Sequence, residues 1–526
     1  MKFRVIFLTA RCLTIELEDE GIVKTQPYSI YVNGEKRGIS DRTVESFYDL
    51  LPDTEYTLGV GRGARSPETL TVRTPKEFVT LNVRDFGAAG DGVREDTAAI
   101  QAAILCCPKE GRVLIPAGVY RIGALFLKSD LRLELAAGAV LSAYTDREKF
   151  PILPGLITAW DEEQEYNLAS WEGNPLDSFA SIITGIGVKN VVIYGQGTIE
   201  GNGSYENWWE GEGREKTGGA FRPRTIFLNR CENVTVQGIR IQNSPAWTLH
   251  PYFSNRTRWI DLDLVNPKIS PNTDGMDPES VNGLEVVGVH FSLGDDCIAV
   301  KSGKYYMGST YKVPSQNIEI RQCHMQFGHG SVTLGSEIGA GVRHLWCHDC
   351  IFEGTDRGLR IKTRRGRGKD SIIEDIVFEN ILMDGVLTPF VLNSYYWCCD
   401  PDGHSEYVRC KDPLPVDERT PEVRSLRFKN ITAHNCHAAA AFLYGLPESK
   451  VGEIEFSNVS IAFAKHPTAE YPAMMADVEP CTRKGVMIRN CRKLILDHVQ
   501  VEGAEEPVYD LDGIDEIIRI PDEEKD

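Results

Sequence analysis

"NVVIYGQGTIEG" from Asn190 and "NVTVQGIRIQNS" from Asn233 are two lines of one recurring pattern, and that pattern decides the fold. It returns as "GLEVVGVHFSLGDD" from Gly283, "NIEIRQCHMQFGHG" from Asn317 and "IIEDIVFENILMDG" from Ile372, then as "VRSLRFKNITAHNC" from Val423 and "VGEIEFSNVSIAFA" from Val451. Each line is a β-branched run of period two that ends in Gly or Asn, which reads as a strand closed by a turn. Counting from Val234, the comparable positions are expected at Ile260, Leu284, Ile318, Leu345 and Ile376, a step of 24 to 34 residues. A repeat of that length without helical periodicity predicts a solenoid of parallel strands. A propeller blade needs about 40–45 residues and hairpin turns, so that architecture does not fit.

Stacked coils bring distant residues together at about 4.8 Å per rung. Four tripeptides use this: Asn272-Thr273-Asp274, Gly294-Asp295-Asp296, Gly328-His329-Gly330 and Arg360-Ile361-Lys362. The intervals from Asp274 to Asp295 to His329 to Arg360 are 21, 34 and 31 residues, close to the repeat itself. Aligning "VHFSLGDD" with "CHMQFGHG" puts Asp295 over His329 and Asp296 over Gly330. The same register sets Asp274 beside Asp296. Arg360 and Lys362 lie two apart on a strand, so they share a face while Ile361 points inward.

Three carboxylates, an imidazole and two cations on one wall are equipment for acid/base hydrolysis of a sugar bond beside an anionic group. Clustered aspartates resist full ionisation, so one keeps a proton as the acid while another activates water. An inverting glycosidase places the two carboxyls about 6.5–9.5 Å apart. His329 is positioned to tune the acid's proton or bind a hydroxyl. Arg360 and Lys362 suit a carboxylate, the first as a planar fork and the second as a point charge. Taken singly, each aspartate reads equally well as a turn cap, and His329 as a solvated loop residue. The set in register does not.

With these motifs the chain resembles the polygalacturonases, glycoside hydrolase family 28, over roughly Phe78 to Glu505. "NVRDFGAAGDGVREDTAAIQAAI" from Asn82, "SPAWTLHP" and "RGLRIKTRRGRG" extend the likeness. The resemblance implies an all-β fold, a right-handed parallel β-helix, and hydrolysis of α-1,4 bonds of galacturonate chains with inversion, in pectin degradation and without a cofactor. It makes Asp295 the general acid, Asp274 and Asp296 the base pair, His329 a catalytic neighbour, and Arg360 and Lys362 the substrate-binding pair. "SPAWTLHP", "GSEIGAGVRHLW" and "RGLRIKTRRGRG" resemble the bacterial exo-acting branch. On that reading, the insertions "WDEEQEYNLASWEGNPLDS" after Ala159 and "YYWCCDPDGHSEYVRCKDPLP" after Ser394 wall off one end of the cleft. His250, Lys301 and Arg365 are then expected to reach substrate hydroxyls or carboxylates. The competing readings are a rhamnogalacturonan or xylogalacturonan hydrolase, a non-catalytic pectin-binding solenoid, and a calcium-dependent lyase using the aspartates as oxygen ligands. The GDD and GHG motifs favour hydrolysis, so no metal is expected.

Composition narrows the partners. The 526 residues carry 76 acidic and 57 basic side chains, a net charge of −19, which disfavours nucleic acid and anionic membranes. "RIKTRRGRGK", Arg360 to Lys369, concentrates six cations in ten residues and leaves −25 (−19 minus 6) for the rest. That local positive charge suits oligogalacturonides. No apolar run reaches the ~18 residues of a membrane span. The start, "MKFRVIFLTARCLTIELED", reads as a first strand rather than a signal peptide. Fourteen cysteines without a signal suggest a reducing cytoplasm. Cys347 and Cys350 with His344 and His348 superficially suggest zinc, but buried coil-stacking cysteines fit better, as for Cys297 and Cys323. Residues 1–76 read as a separate β-sandwich, with "LLPDTEYTLGV" similar to a fibronectin type III domain. The β-helix then takes 77–526. "DTAAIQAAILCC", with Asp96 as N-cap, predicts a helix that closes the solenoid's first end. The acidic tail after about residue 505 is left open between folding back and fraying, and the motifs carry no signal for oligomeric state.

Overall fold

The computed structural model describes all residues except 19, 64–65, 159–164, 210–219, 398–404 and 521–526. From Thr80 onward it is a parallel β-helix with three walls. The first wall carries Lys189–Gly195, Glu232–Gln237, Asn255–Ile260, Asn282–Val287 and Ser315–Arg321, each hydrogen-bonded in parallel to the next coil. The second carries Thr198–Glu200, Arg240–Gln242, Asp263–Val265, His290–Leu293 and His324–Phe327. The third runs from Ile183–Ile186 through Ile226–Asn229 and Leu249–Tyr252. It crosses isolated bridges at Met276 and Glu279 and continues as Ile298–Val300, Val332–Gly335, Arg357–Lys362 and Thr388–Asn393.

The period-two pattern works because the inward residue of each rung stacks on the equivalent residue of the next. Val234, Thr257, Leu284, Ile318, Leu345 and Ile376 form one such column, and all are buried. Thr257, not Ile260, therefore occupies the interior position of its coil. Ile260 is opposite Gln237 on the outer face, where it packs against Phe7 and Val44 of the N-terminal unit. An apolar residue facing a second protein layer looks like core in sequence, which explains the misplaced register. The corner asparagines adopt positive φ, 56° at Asn190, Asn233 and Asn317, and bond along the stack, as in Asn233 Nδ2 to Asn190 Oδ1 at 2.9 Å. Cys297, Cys323, Cys347 and Cys350 are buried in the core, as coil-stacking residues should be. His344 and His348 point away from them to Asp375, Asp349 and Glu319, so the four residues form no zinc site. The described cysteines are all free, and Cys398 and Cys399 lie outside the described residues.

Helix α1, Thr97–Cys106, covers the first end of the solenoid core with Ile100, Ala103 and Ile104. Asp96 stands at its N-cap, but its carboxylate makes no cap bond and accepts from the backbone N–H groups of Ala89 and Gly90 instead. Within the acidic tail, Tyr509–Ile520 is a strand paired in parallel with Lys484–Glu502, and it completes the last coil; residues 521–526 lie outside the described residues. No described helix is long and apolar enough to cross a membrane.

Before the solenoid, seven strands form two antiparallel sheets. Strands β1 (Lys2–Leu8), β2 (Leu13–Glu18) and β5 (Val44–Phe47) make one, in the order β1-β2-β5. Strands β3 (Lys24–Val32), β4 (Glu35–Arg42), β6 (Glu55–Gly61) and β7 (Glu68–Arg73) make the other, in the order β4-β3-β6-β7. Leu13, Ile15, Tyr28, Ile30, Leu58 and Val60 close the core of this unit. It docks on the first wall. Arg321 bonds Glu16 at 2.8 and 3.1 Å and Glu285 at 2.7 Å, and the Gln237 amide donates to Thr14, Ser46 and Tyr48. None of these contacts reaches the third wall.

Candidate active site

The site forms at the corner where successive coils enter the third wall. Thr248 N donates to Asp274 O at 2.8 Å, Gly275 N to Asp296 O at 3.0 Å, Cys297 N to Gly330 O at 2.8 Å and Ser331 N to Arg357 O at 2.9 Å. These rungs put Asp274 beside Asp296 and Asp296 beside Gly330. One residue earlier, Asp295 Oδ1 lies 3.3 Å from His329 Nδ1. The register read from the repeat therefore assembles all four motifs. A cavity of about 230 Å³ opens over them, with Trp247, Lys301, Lys304, Glu337, Tyr396 and Met474 among its other walls.

The motif glycines have specific causes. Gly328 has φ +82°, and a Cβ there would lie 2.2 Å from Asp295 O. A Cβ on Gly330 would lie 2.4 Å from Thr333 Oγ1 and 2.9 Å from Asp296 Oδ1. Only a residue without a side chain lets the His329 turn approach the aspartates this closely. On the neighbouring coil, Arg222 holds the Asn272 turn by donating to Asn272 Oδ1 at 2.9 Å and to the carbonyls of Pro245 and Pro271.

Charge divides the three aspartates. Arg360 Nη1 donates to Asp296 Oδ1 at 2.9 Å and Lys362 Nζ to Oδ2 at 2.8 Å. Burial alone would raise the pKa of Asp296, but Lys362 and Arg360 outweigh it and hold the carboxylate well below the ordinary range. Asp274 goes the other way: burial, then the charges of Asp277 and Asp295, push it well above the ordinary value. For Asp295 burial also acts upward, but the His329 contact prevails and lowers it. The same contact raises His329. Asp295 further accepts from Asp296 N at 2.9 Å and Asn272 N at 3.2 Å. The surroundings therefore favour the ionised form of Asp296, the protonated form of Asp274, and a proton on the ring in the Asp295–His329 pair.

Each aspartate places one carboxylate oxygen within 4.8 Å of the other two, which is closer than the ~6.5–9.5 Å expected from the general rule. Such a group invites a cation, yet both oxygens of Asp296 already accept from cationic side chains and those of Asp295 from backbone N–H groups. A calcium ion needing 6–8 oxygen ligands fits this arrangement poorly.

Beneath the cavity lies a buried ionic layer that sequence reading assigned only in part. Lys301 Nζ bonds Glu337 Oε2 at 2.9 Å and stands 3.5 Å from Asp277 Oδ1 and 4.7 Å from the Trp247 ring centroid. Burial lowers the Lys301 pKa, but Glu337 and Asp277 outweigh it and the ammonium is held charged. Burial raises Asp277 strongly and pushes Glu279 to about 7. Lys301 does line the cavity, as expected.

His250 and Arg365 do not. His250 is 0 % exposed, bonded to Glu279 at 3.1 Å, packed against Trp247 and Phe227, and kept neutral by burial and Arg224. It is therefore a buried support rather than a substrate contact. Arg365 is 1 % exposed and clamps Glu448 and the carbonyls of Tyr407, Cys410 and Asp412. The basic run from Arg360 thus divides, with Arg360 and Lys362 in the site and Arg365 holding a neighbouring loop. Asp277, Glu279, Glu337, Trp247 and Met474 were not anticipated. Asp277 closes "NTDGMD" and Glu337 sits in "GSEIGAG", so both stood next to noted motifs. Met474 comes from 114 residues beyond Arg360, in a stretch without a motif.

Known proteins share this architecture. The family model "Glycosyl hydrolases family 28" matches residues 161–476, and "Rhamnogalacturonase A/epimerase, pectate lyase-like" matches 80–132. An endo-polygalacturonase of Pectobacterium carotovorum subsp. carotovorum is 30% identical over 380 residues, 69% of this chain and 84% of the relative. The structure of a hyperthermoactive exopolygalacturonase from Thermotoga maritima aligns with TM-score 0.65 and 25% identity over 81% of this chain and 92% of its own. The family 28 exopolygalacturonase of Yersinia enterocolitica shares the fold over 98% of both chains, with TM-score 0.72 and 19% identity. The first family model spans more than half of the sequence and contains all four motifs, and the chain belongs to the glycosyl hydrolases family 28.

Proposed function

We propose that the chain hydrolyses α-1,4 bonds between galacturonate units, with inversion, releasing units from one end of short oligomers during pectin degradation. The observation that carries this reading is the Asp274–Asp295–Asp296 cluster locked to Arg360 and Lys362, with His329 against Asp295. Relatives at 25–30% identity named as polygalacturonases support the substrate class, and both endo- and exo-acting names occur among them.

In this mechanism Asp295 is the acid. It is the least enclosed of the Asp295–Asp296 pair, with 18% of its side chain exposed against 1% for Asp296, so it is the one that can meet a glycosidic oxygen. The proton stored on His329 passes to Asp295 as the leaving oxygen draws density, and Asp295 delivers it. Asp296, ionised by its two cations, takes the proton of the attacking water as that oxygen bonds the anomeric carbon, and Asp274 orients the water. Arg360 and Lys362 serve twice, fixing Asp296 and offering their remaining donors to the galacturonate carboxylate.

The exo reading draws its support from the Trp171 turn, which we take to close one end of the cleft. Trp171 stacks between Phe221 at 4.8 Å and Trp247 at 5.9 Å. Gly173 O accepts from Lys304 N at 2.9 Å, and Glu172 and Lys304 both face the catalytic cavity. This turn belongs to the first insertion noted in the sequence. Parts of both insertions, 160–164 and 398–404, lie outside the described residues. Residues 1–76 we read as a fibronectin type III-like module that braces the first wall.

Asp295→Asn is expected to keep its fold by circular dichroism and still bind oligogalacturonide, while kcat falls at least ~10²-fold, the lower end of general acid catalysis. A variant retaining a tenth of the wild-type kcat removes Asp295 from the acid role. The pH profile tests His329. Its pKa is raised, so the Asp295–His329 pair holds its proton below that value and loses it as pH climbs through it. Activity should decline on the alkaline side, and His329→Gln should move that limb acidward by roughly one pH unit or more. An unmoved limb refutes the shared proton. Viscometry separates the modes of attack: reducing ends should appear long before polygalacturonate loses viscosity, and an early collapse with mixed oligomers would mean an open cleft.

A further inference from the structure

The Trp171 turn carries a carboxylate into the catalytic cavity. Trp171 N donates to Asn174 O at 2.9 Å and Asn174 N to Trp171 O at 3.1 Å, so residues 171–174 form one tight loop. Gly173 has φ +71°, and a Cβ there would lie 2.7 Å from Lys304 N and 2.8 Å from Glu337 Cβ and Cγ. The loop is thus pressed against the third wall with no room for a side chain at its point of contact. Glu172, itself at φ 45°, comes between that contact and the stacked Trp171, and it lines the cavity together with Glu337 and Lys304.

The two carboxylates at this end differ. Glu337 is buried, and its oxygens accept from Lys301 Nζ at 2.9 Å and Ser336 Oγ at 3.0 Å, so it serves the wall. Glu172 belongs to the turn and is half-buried. A carboxylate accepts about four hydrogens and donates none, so a contact with the protein still leaves acceptor sites. Lys304 brings a donor to the same end. In a 1,4-linked chain, C1 and C4 stand at opposite ends of each ring, so a unit with C1 at the catalytic aspartates turns O4 toward the Trp171 turn. A hydroxyl there satisfies both groups, donating to the carboxylate and accepting from the ammonium. The O4 of an internal unit carries no proton. A unit left by β-elimination has no O4 at all, because its C4–O4 bond breaks as C4=C5 forms. Either would leave Glu172 facing substrate without a donor. The other terminal hydroxyl, O1 of a reducing end, alternates between two configurations in water, whereas O4 keeps one.

We propose that Glu172 is a specificity-determining residue that accepts the O4 hydroxyl of the non-reducing terminal unit, so that the enzyme takes only chains whose ends carry this hydroxyl. The inference rests on the exo-acting galacturonan reading of the pocket. It makes hydrolytic cleavage, rather than elimination, the class of reaction that supplies the substrates, since elimination leaves 4,5-unsaturated ends.

The test compares kcat/KM for four trimers: trigalacturonate, its analogue 4-deoxy at the non-reducing end, the trimer with a 4,5-unsaturated non-reducing end, and trigalacturonate reduced to the alditol at its other end. The 4-deoxy and unsaturated trimers should each fall at least ~30-fold below the parent, because a site built around a hydroxyl rejects an analogue that lacks it. The alditol should stay within tenfold. Glu172→Ala, folded by circular dichroism, should shrink the preference for the parent over the 4-deoxy trimer at least tenfold, a change that a merely structural role would not produce. The wild-type series decides even if that variant does not fold. A smaller gap for either modified trimer, a preference that survives Glu172→Ala, or an alditol more than tenfold impaired overturns the proposal. Turnover of no trimer would instead refute the galacturonan reading, and early viscosity loss from polygalacturonate the exo reading.

Discussion

The site depends on one interaction: Asp296 held between Arg360 and Lys362, all three buried. A carboxylate taken out of water is costly unless it is paired and fully hydrogen-bonded. Here the pairing comes from a strand 64 and 66 residues further along the chain, brought into reach by the coil stacking of the third wall. The same rungs that align Asp274, Asp296, Gly330 and Arg357 fix the distances between them, so catalytic geometry and wall register are one constraint. Gly330 shows how tight it is, since even a methyl group there would press on Asp296.

This pairing also sorts the protons. Asp274 has no such cations among the described residues, and burial, followed by the charges of Asp277 and Asp295, raises its pKa instead. Asp295 instead shares a proton with His329, which is 51% exposed and is the member of the site closest to solvent. Below them, Lys301 lies between Glu337 and Asp277 and offsets acidic charge that would otherwise drive the aspartates further toward protonation. Neutral His250 and protonation-prone Glu279 complete this layer without contacting the cavity. Burying so many ionisable groups is affordable only because nearly every charge has an opposite partner on an adjacent rung.

Much of this was legible in the sequence, because a solenoid converts sequence intervals directly into spatial neighbours. Asp295 over His329, Asp274 beside Asp296, and Arg360 with Lys362 on one face all followed from strand period and repeat length. The failures have a common cause. Ile260 looked like core because it is apolar, but it faces the N-terminal sandwich. His250 and Arg365 looked like ligands because they are polar and near the motifs, but strand alternation and local packing turned both into the interior. Period two says that neighbouring residues face opposite ways; it does not say which way is solvent once loops cover a wall. Met474 carried no signal, since its approach to Arg360 is made by a connecting segment rather than a rung. Residues 509–520 joined the last coil because Tyr509, Leu511 and Ile514 pack on the core, a pattern the acidic composition concealed.

The spacing of the carboxylates bears directly on the stereochemistry of the reaction. Oxygens within 4.8 Å leave less room between acid and base than inverting glycosidases generally provide, whereas assigning two aspartates to one water requires single displacement. The configuration of the first product decides between them. Proton NMR of trigalacturonate during the first minutes of reaction, before mutarotation, reports the anomer released at the new reducing end. The account predicts that the β-anomer appears first from the α-linked substrate; initial release of the α-anomer would contradict it and make one of the three aspartates a covalent nucleophile.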